Sequence, residues 1–178
     1  MLLTAPDTIA IAPMRRLDEV IALTGAKRVI SIVNAHLMPP TPAGILAIDH
    51  LKLPISDARP DRGAANNPSM ELMGQLIASV RAWPQDSPLL IHCFSGLNRS
   101  TAAAYVALAA LNPTVPEALI AYRLRATSET AAPNRNMVGL ADILLKRRGN
   151  LLSAVELIGS GLPAAEGEPF SLPVSFGP

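Results

Sequence analysis

Short apolar runs of the kind that form strands alternate along this chain with longer stretches of helical periodicity, a rhythm that restricts it to the α/β class. Residues 8–12 predict a weak strand, residues 28–34 (RVISIVN) a stronger one, and residues 50–55 (HLKLPI) alternate as a strand does. Residues 88–92 (PLLIH) are short and wholly apolar before the histidine, as a buried central strand is. Between them, residues 15–24 predict a helix ended by Gly25, and Ser69 is placed to cap a helix that reaches about Trp83, with Glu71 in its first turn and Pro84 closing it. Further helices are expected over 99–111, 116–126, 136–148 and 151–158, and residues 57–68 (DARPDRGAANNP) read as loop. The expectation is a central, mainly parallel sheet flanked by helices, in one domain over residues 1–158. Residues 159–178 are rich in glycine and proline and predict an extended or disordered tail, the alternative being an arm packed through Phe170 and Phe176.

Composition excludes several function classes. With 178 residues, 49% of them hydrophobic, the chain can bury a core without disulfides or a metal. Its one cysteine allows no internal disulfide. A net charge of +1 provides no field to gather nucleic acid or an anionic membrane, and three Phe, two Tyr and one Trp leave little to stack bases on. The longest wholly apolar run, residues 102–111, is about half of the roughly 20 residues a spanning helix needs, so no membrane span is expected. The N-terminal apolar residues are interrupted by an acid and two prolines and follow no basic stretch, which argues against a signal peptide and for a cytoplasmic protein. No GxxxxGK[ST] or GxGxxG element is present, so nucleotide-loop readings fall away.

One segment carries chemistry: Ile91-His92-Cys93-Phe94-Ser95-Gly96-Leu97-Asn98-Arg99-Ser100. A cysteine ends a buried strand; five residues later an arginine and a serine open a helix. In such a tight loop the backbone N–H groups of Phe94, Ser95, Gly96, Leu97, Asn98 and Arg99 can turn inward as an anion nest, aided by the helix dipole. Gly96 would permit the positive φ or the close approach the loop needs. Arg99 supplies a planar fork for two phosphate oxygens, which a lysine could not replace. A helix N-terminus and a neighbouring cation favour the thiolate form of a cysteine, the nucleophilic form, so Cys93 could attack phosphorus and form a phosphocysteine. Ser100 is spaced to donate its hydroxyl to the sulfur, and His92 is read as a support that holds loop carbonyls through a ring N–H.

His92-Cys93-x-x-Gly96-x-x-Arg99-Ser100 resembles the signature of the cysteine-dependent protein tyrosine phosphatase superfamily, in particular its compact dual-specificity-like branch. The stretches LLIHCFSGLNRSTAAAYV and AAPNRNMVGLADILLKRRG are similar to small bacterial tyrosine-phosphatase-like proteins, and the resemblance covers about residues 28–157. It implies a metal-independent phosphomonoester hydrolase without a cofactor, acting on a phosphorylated protein or a small phosphate ester. It also implies a general acid, an aspartate on a loop after an upstream strand, because an alkoxide or phenoxide leaves poorly at neutral pH. Asp57 ends HLKLPISD and is favoured since it directly follows the strand; Asp61 is the rival, closer to the spacing common in dual-specificity members.

Plainer readings stand beside these. A cysteine alone is more often a small buried hydrophobe than a nucleophile, and Arg99 alone would be a surface arginine at a helix start. Asp57 and Asp61 could each merely shape a turn. His36 and His50 are not spaced for metal binding and read as structural, Asn98 as loop-shaping, and Met70, Met73 and Trp83 as core. Pro133-Asn134 resembles a family feature, with helix capping by Asn134 or Asn136 as the plain alternative. At the level of the whole chain, the alternatives to a phosphatase are a pseudo-phosphatase that binds phosphorylated ligands without turnover, or another cysteine-loop chemistry such as sulfur transfer or arsenate reduction. The loop residues Phe94, Ser95, Leu97 and Asn98 include no lysine, which argues against a polyphosphorylated inositol headgroup.

Overall fold

The computed structural model describes residues 2–56 and 67–177. A five-stranded sheet is formed by β1 (Thr8–Pro13), β2 (Arg28–Val33), β3 (His50–Pro54), β4 (Leu89–Cys93) and β5 (Phe170–Pro173), in the order β3-β2-β4-β1-β5. The first four run parallel, and β5 closes the β1 edge antiparallel. This is the α/β, mainly parallel architecture expected from the alternation of runs.

Strand burial explains the sequence pattern. All six residues of β1 and all five of β4 are buried, as befits strands covered on both faces. On one face Ala10, Ala12, Val29 and Leu90 pack against Leu17 and Val20 of α1 (Leu17–Thr24). The other face, with Ile9, Ile11, Ile30, Ile32, Leu53 and Ile91, meets the larger helical layer. That layer comprises α2 (Met70–Arg81), α3 (Arg99–Leu111), α4 (Glu117–Thr127), α5 (Arg135–Leu144) and α6 (Asn150–Ile158). The centre of the layer is α3, buried at every position from Arg99 to Ala110. A helix apolar all round has to be enclosed; its alanines let α2, α4 and α5 approach from the side away from the sheet.

Several boundaries follow the sequence signals closely. Ser69 accepts from the Leu72 N–H at 3.2 Å as the α2 cap, and Gly25 ends α1 in the left-handed region. Residues 14–16 form a 3-10 turn rather than the first turn of α1. The helix expected over 136–148 starts one residue earlier and stops at Leu144, because its last residues serve other helices. Asp142 accepts N–H groups of Gly149 and Leu151 at 2.6 and 2.7 Å, capping α6. Arg147 donates to the Ala109 and Asn112 carbonyls at the end of α3 and pairs with Glu117 at 2.7 Å. Met73 and Trp83 are core, but Met70, on the first turn of α2, is 41% exposed and is not.

The last segment is ordered. Residues 170–173 form β5, with Phe170 and Leu172 buried, and the Phe176 ring lies under the Arg123 guanidinium, 3.5 Å from its centroid. The packed arm through Phe170 and Phe176, and not the free tail, is what the chain adopts. Its β-propensity is low, but the unpaired edge of β1 supplies the partner that the segment lacks by itself. Among the described residues no helix is long and apolar enough to cross a membrane.

Candidate active site

Parallel strands bring their C-terminal ends to one edge of the sheet, where open α/β sheets place their ligand sites. Here Cys93 is in register with Pro13 of β1 and Ile32 of β2, and Val33 with Pro54 of β3. Asn34, Ile55 and the 94–98 loop therefore leave the sheet together, with the N-terminus of α3 over them.

The loop is held by its carbonyls. Phe94 O accepts from the Met14 N–H at 3.2 Å, Ser95 O from Gly167 at 2.9 Å, Leu97 O from Ala132 at 2.9 Å and Asn98 O from Asn134 at 3.1 Å. In a trans peptide the C=O and the following N–H point opposite ways. Anchoring these four carbonyls outward turns the N–H groups of Ser95, Gly96, Asn98 and Arg99 the other way, which makes a nest of donors. Gly96 has φ +72°, and a Cβ there would lie 2.8 Å from the Pro13 nitrogen, so both conformation and space demand glycine.

Inside the nest lies the fully buried Cys93. Its Sγ accepts from the Gly96 N–H at 3.2 Å and is 3.2 Å from Ser100 Oγ. Arg99, 4% exposed, uses one nitrogen for anchorage: Nη1 donates to Asn34 Oδ1 at 3.0 Å and to the Ile55 carbonyl at 2.8 Å. Its buried Nε has no partner among the described residues, so the Nε edge of the fork is left for an anion. The Ile55 carbonyl is two residues before Asp57; Asp57 and Asp61 lie outside the described residues.

His92 interacts with the backbone of Cys93, where the loop begins, which favours its charged form against its burial. It points to the α1 face of the sheet, where its Nε2 is 2.6 Å from Ser31 Oγ; Ser31 is also 2.7 Å from His50 Nε2, and His50 Nδ1 is 3.1 Å from Thr41 Oγ1. A hydroxyl has one proton, so Ser31 donates to one imidazole and accepts from the other. Burial pushes both histidines down to about 4, so the chain of groups is neutral at pH 7. No cluster among the described residues could hold a metal ion.

Asn98 and Asn134 tie the loop to α5. Asn98 Nδ2 donates to the Ala132 carbonyl at 2.8 Å, and Asn134 Nδ2 donates to Asn98 Oδ1 at 2.9 Å. Asn134 also caps α5, accepting from the Met137 N–H at 3.0 Å, so of the two capping candidates it is Asn134 that caps, and the same side chain braces the loop. Phe94 is half exposed at the rim. A cleft of about 700 Å³ opens beside the loop, lined by Asn98, Pro133, Asn134, Arg135 and Glu156.

Cys93, Gly96, Arg99 and Ser100 are thus brought together, with Ser95, Leu97 and Asn98 bracing the nest. Sequence reasoning missed Asn34, Ser31 and Gly167. Asn34 follows a strand expected to lie parallel to the cysteine strand, and a polar residue at such a strand end was the available signal; Ser31 and Gly167 have no local one.

This is the fold of the cysteine-dependent tyrosine and dual-specificity phosphatases. The chain is similar to human DUSP28 (17% identity, TM-score 0.61, over 83% of this chain and 97% of that one). It is also similar to DUSP15 (15%, 0.59, 86% and 93%) and to Tk-PTP in its active form (20%, 0.54, 78% and 90%). No family model matches the sequence, and no curated protein does.

Proposed function

We propose that this chain is a metal-independent phosphomonoester hydrolase, a protein tyrosine or dual-specificity phosphatase, working through a phosphocysteine. The observation that supports this most is the Cys93 sulfur, buried at a helix N-terminus with the Gly96 N–H and the Ser100 hydroxyl on it, next to an arginine whose Nε is buried and unpartnered. The nest and Arg99 bind the phosphoryl oxygens, and their charge complementarity increases as the group flattens in the transition state. Cys93 Sγ forms the S–P bond as the P–O bond breaks, and the leaving oxygen takes a proton from Asp57, or from Asp61 if that residue reaches the site. Water then attacks phosphorus and gives a proton to the same carboxylate; inorganic phosphate leaves and the thiolate, stabilised by Ser100, is restored. Substrates are phosphorylated proteins or small phosphate esters. A reducing cytoplasm is the compartment that would keep the thiol usable.

Purified protein should hydrolyse an aryl phosphate in EDTA and be inhibited competitively by vanadate. Cys93→Ser should abolish turnover and retain vanadate binding, since the nest and Arg99 remain. A requirement for added divalent metal, or substantial activity in Cys93→Ser, would overturn the mechanism. Vanadate binding without any turnover by the parent protein would make it a binding module instead.

A further inference from the structure

The segment leading into β5 crosses the outer side of the cradle and is joined to it by backbone. Gly167 is buried, and its N–H donates to the Ser95 carbonyl at 2.9 Å. The N–H at the other end of that same peptide belongs to Gly96 and donates to Cys93 Sγ at 3.2 Å. The unit is planar, so fixing its carbonyl fixes the direction of its N–H. The approach is close: a Cβ on residue 167 would lie 3.1 Å from both the Gly96 oxygen and Leu97 Cδ2. Glu166 pairs with Arg15, and Glu168 with Arg16 at 2.8 Å. These arginines directly follow Met14, whose N–H holds the Phe94 carbonyl. Such exposed ion pairs contribute little energy, but they set the register of the strap, and β5 secures it by pairing with β1.

We infer that Gly167 is a positioning residue of the cradle: its N–H, acting through the Ser95 carbonyl, aims the Gly96 N–H at the Cys93 sulfur. The C-terminal segment then completes the site from outside the signature motif. This rests on the reading of Cys93 as a nucleophile in a phosphate nest, but its test needs no turnover.

Cys93 is the only cysteine in the chain, so iodoacetamide alkylation reports on it alone. The thiolate displaces iodide, and the rate at about pH 6 taken relative to its high-pH plateau follows the thiolate fraction, with differences in access to the buried sulfur divided out. Gly167→Pro removes the donor; Gly167→Ala keeps it but forces the strap back by a few tenths of an ångström. Alkylation should slow about tenfold in Gly167→Pro, as for loss of a hydrogen bond that orients a donor to a charged group, and severalfold in Gly167→Ala. Turnover of an aryl phosphate should fall in the same order. Far-UV circular dichroism and thermal melting establish that each variant is folded; if Gly167→Pro is not, Gly167→Ala decides alone. An unchanged or faster alkylation rate in a folded variant overturns the inference. Slower alkylation in a protein whose parent form hydrolyses no phosphate ester leaves the strap standing and removes the phosphatase reading instead.

Discussion

Asn34 shows how much one side chain outside the motif can carry. Its Oδ1 and the Ile55 carbonyl share the Arg99 Nη1, and together they set the plane of the fork. Asn34→Ala leaves one anchor, so Arg99 should swing and bind less well in the transition state. The expected loss is about tenfold in kcat/KM on an aryl phosphate, measured by steady-state kinetics, with thermal melting little changed. The acid is tested at the same scale. A general acid matters in proportion to how poor the leaving group is, within a usual range of about 10²–10⁴-fold. Asp57→Asn should lose that much on phenyl phosphate, far less on an ester of an acidic phenol, and should lose the basic limb of the pH–rate profile. Asp61→Asn should stay within a few-fold of the parent. The reversed pattern transfers the role to Asp61, and no effect from either variant favours the binding module.

At the level of elements, helix ends are satisfied across space as often as along the chain. Asp142 belongs to α5 but caps α6, and Arg147, just past α5, closes α3. The bonds of Arg147 thus anchor the far end of the helix that carries Arg99 and Ser100. Asp142→Ala would leave the buried Leu151 N–H without its acceptor. The expected cost is about 2 kcal/mol in urea unfolding, with turnover of the folded fraction unchanged; a variant as stable as the parent would show that water replaces the carboxylate.

On the scale of the whole molecule, stability should depend on pH through the imidazoles under the sheet. His92 and His50 are held at about 4 by burial, against 6.5 for a free histidine. The unfolded chain therefore takes up protons that the folded one refuses. The resulting stability is complete above about pH 6.5 and is lost as the pH falls toward 4, below which these groups contribute no further change. His92 by itself sets a scale of about 3 kcal/mol across that window. Urea unfolding at pH 7.5 and pH 5 would measure it, and equal stabilities at the two values would contradict it.

What the sequence determined by itself is what depends on neighbours along the chain. The alternation of apolar runs marks four strands and six helices, since burial periodicity is a local property, and the nine residues from His92 to Ser100 specify a strand end, a tight turn and a helix start in sequence order. A cysteine, glycine, arginine and serine at those offsets can hardly avoid sharing one nest. Tertiary structure decided whatever joins distant segments. The early stop of α5 depends on where Gly149 and Leu151 of α6, and Ala109 of α3, come to lie in space. The pairing of Arg99 with Asn34 needs two strand ends at one sheet edge. The last strand is four residues long with proline and glycine nearby, and only the open edge of β1 makes it a strand. Gly167 meets Ser95 for the same reason: once β5 is paired with β1, the chain entering it has to pass over the loop, and only a residue without a side chain can pass that close.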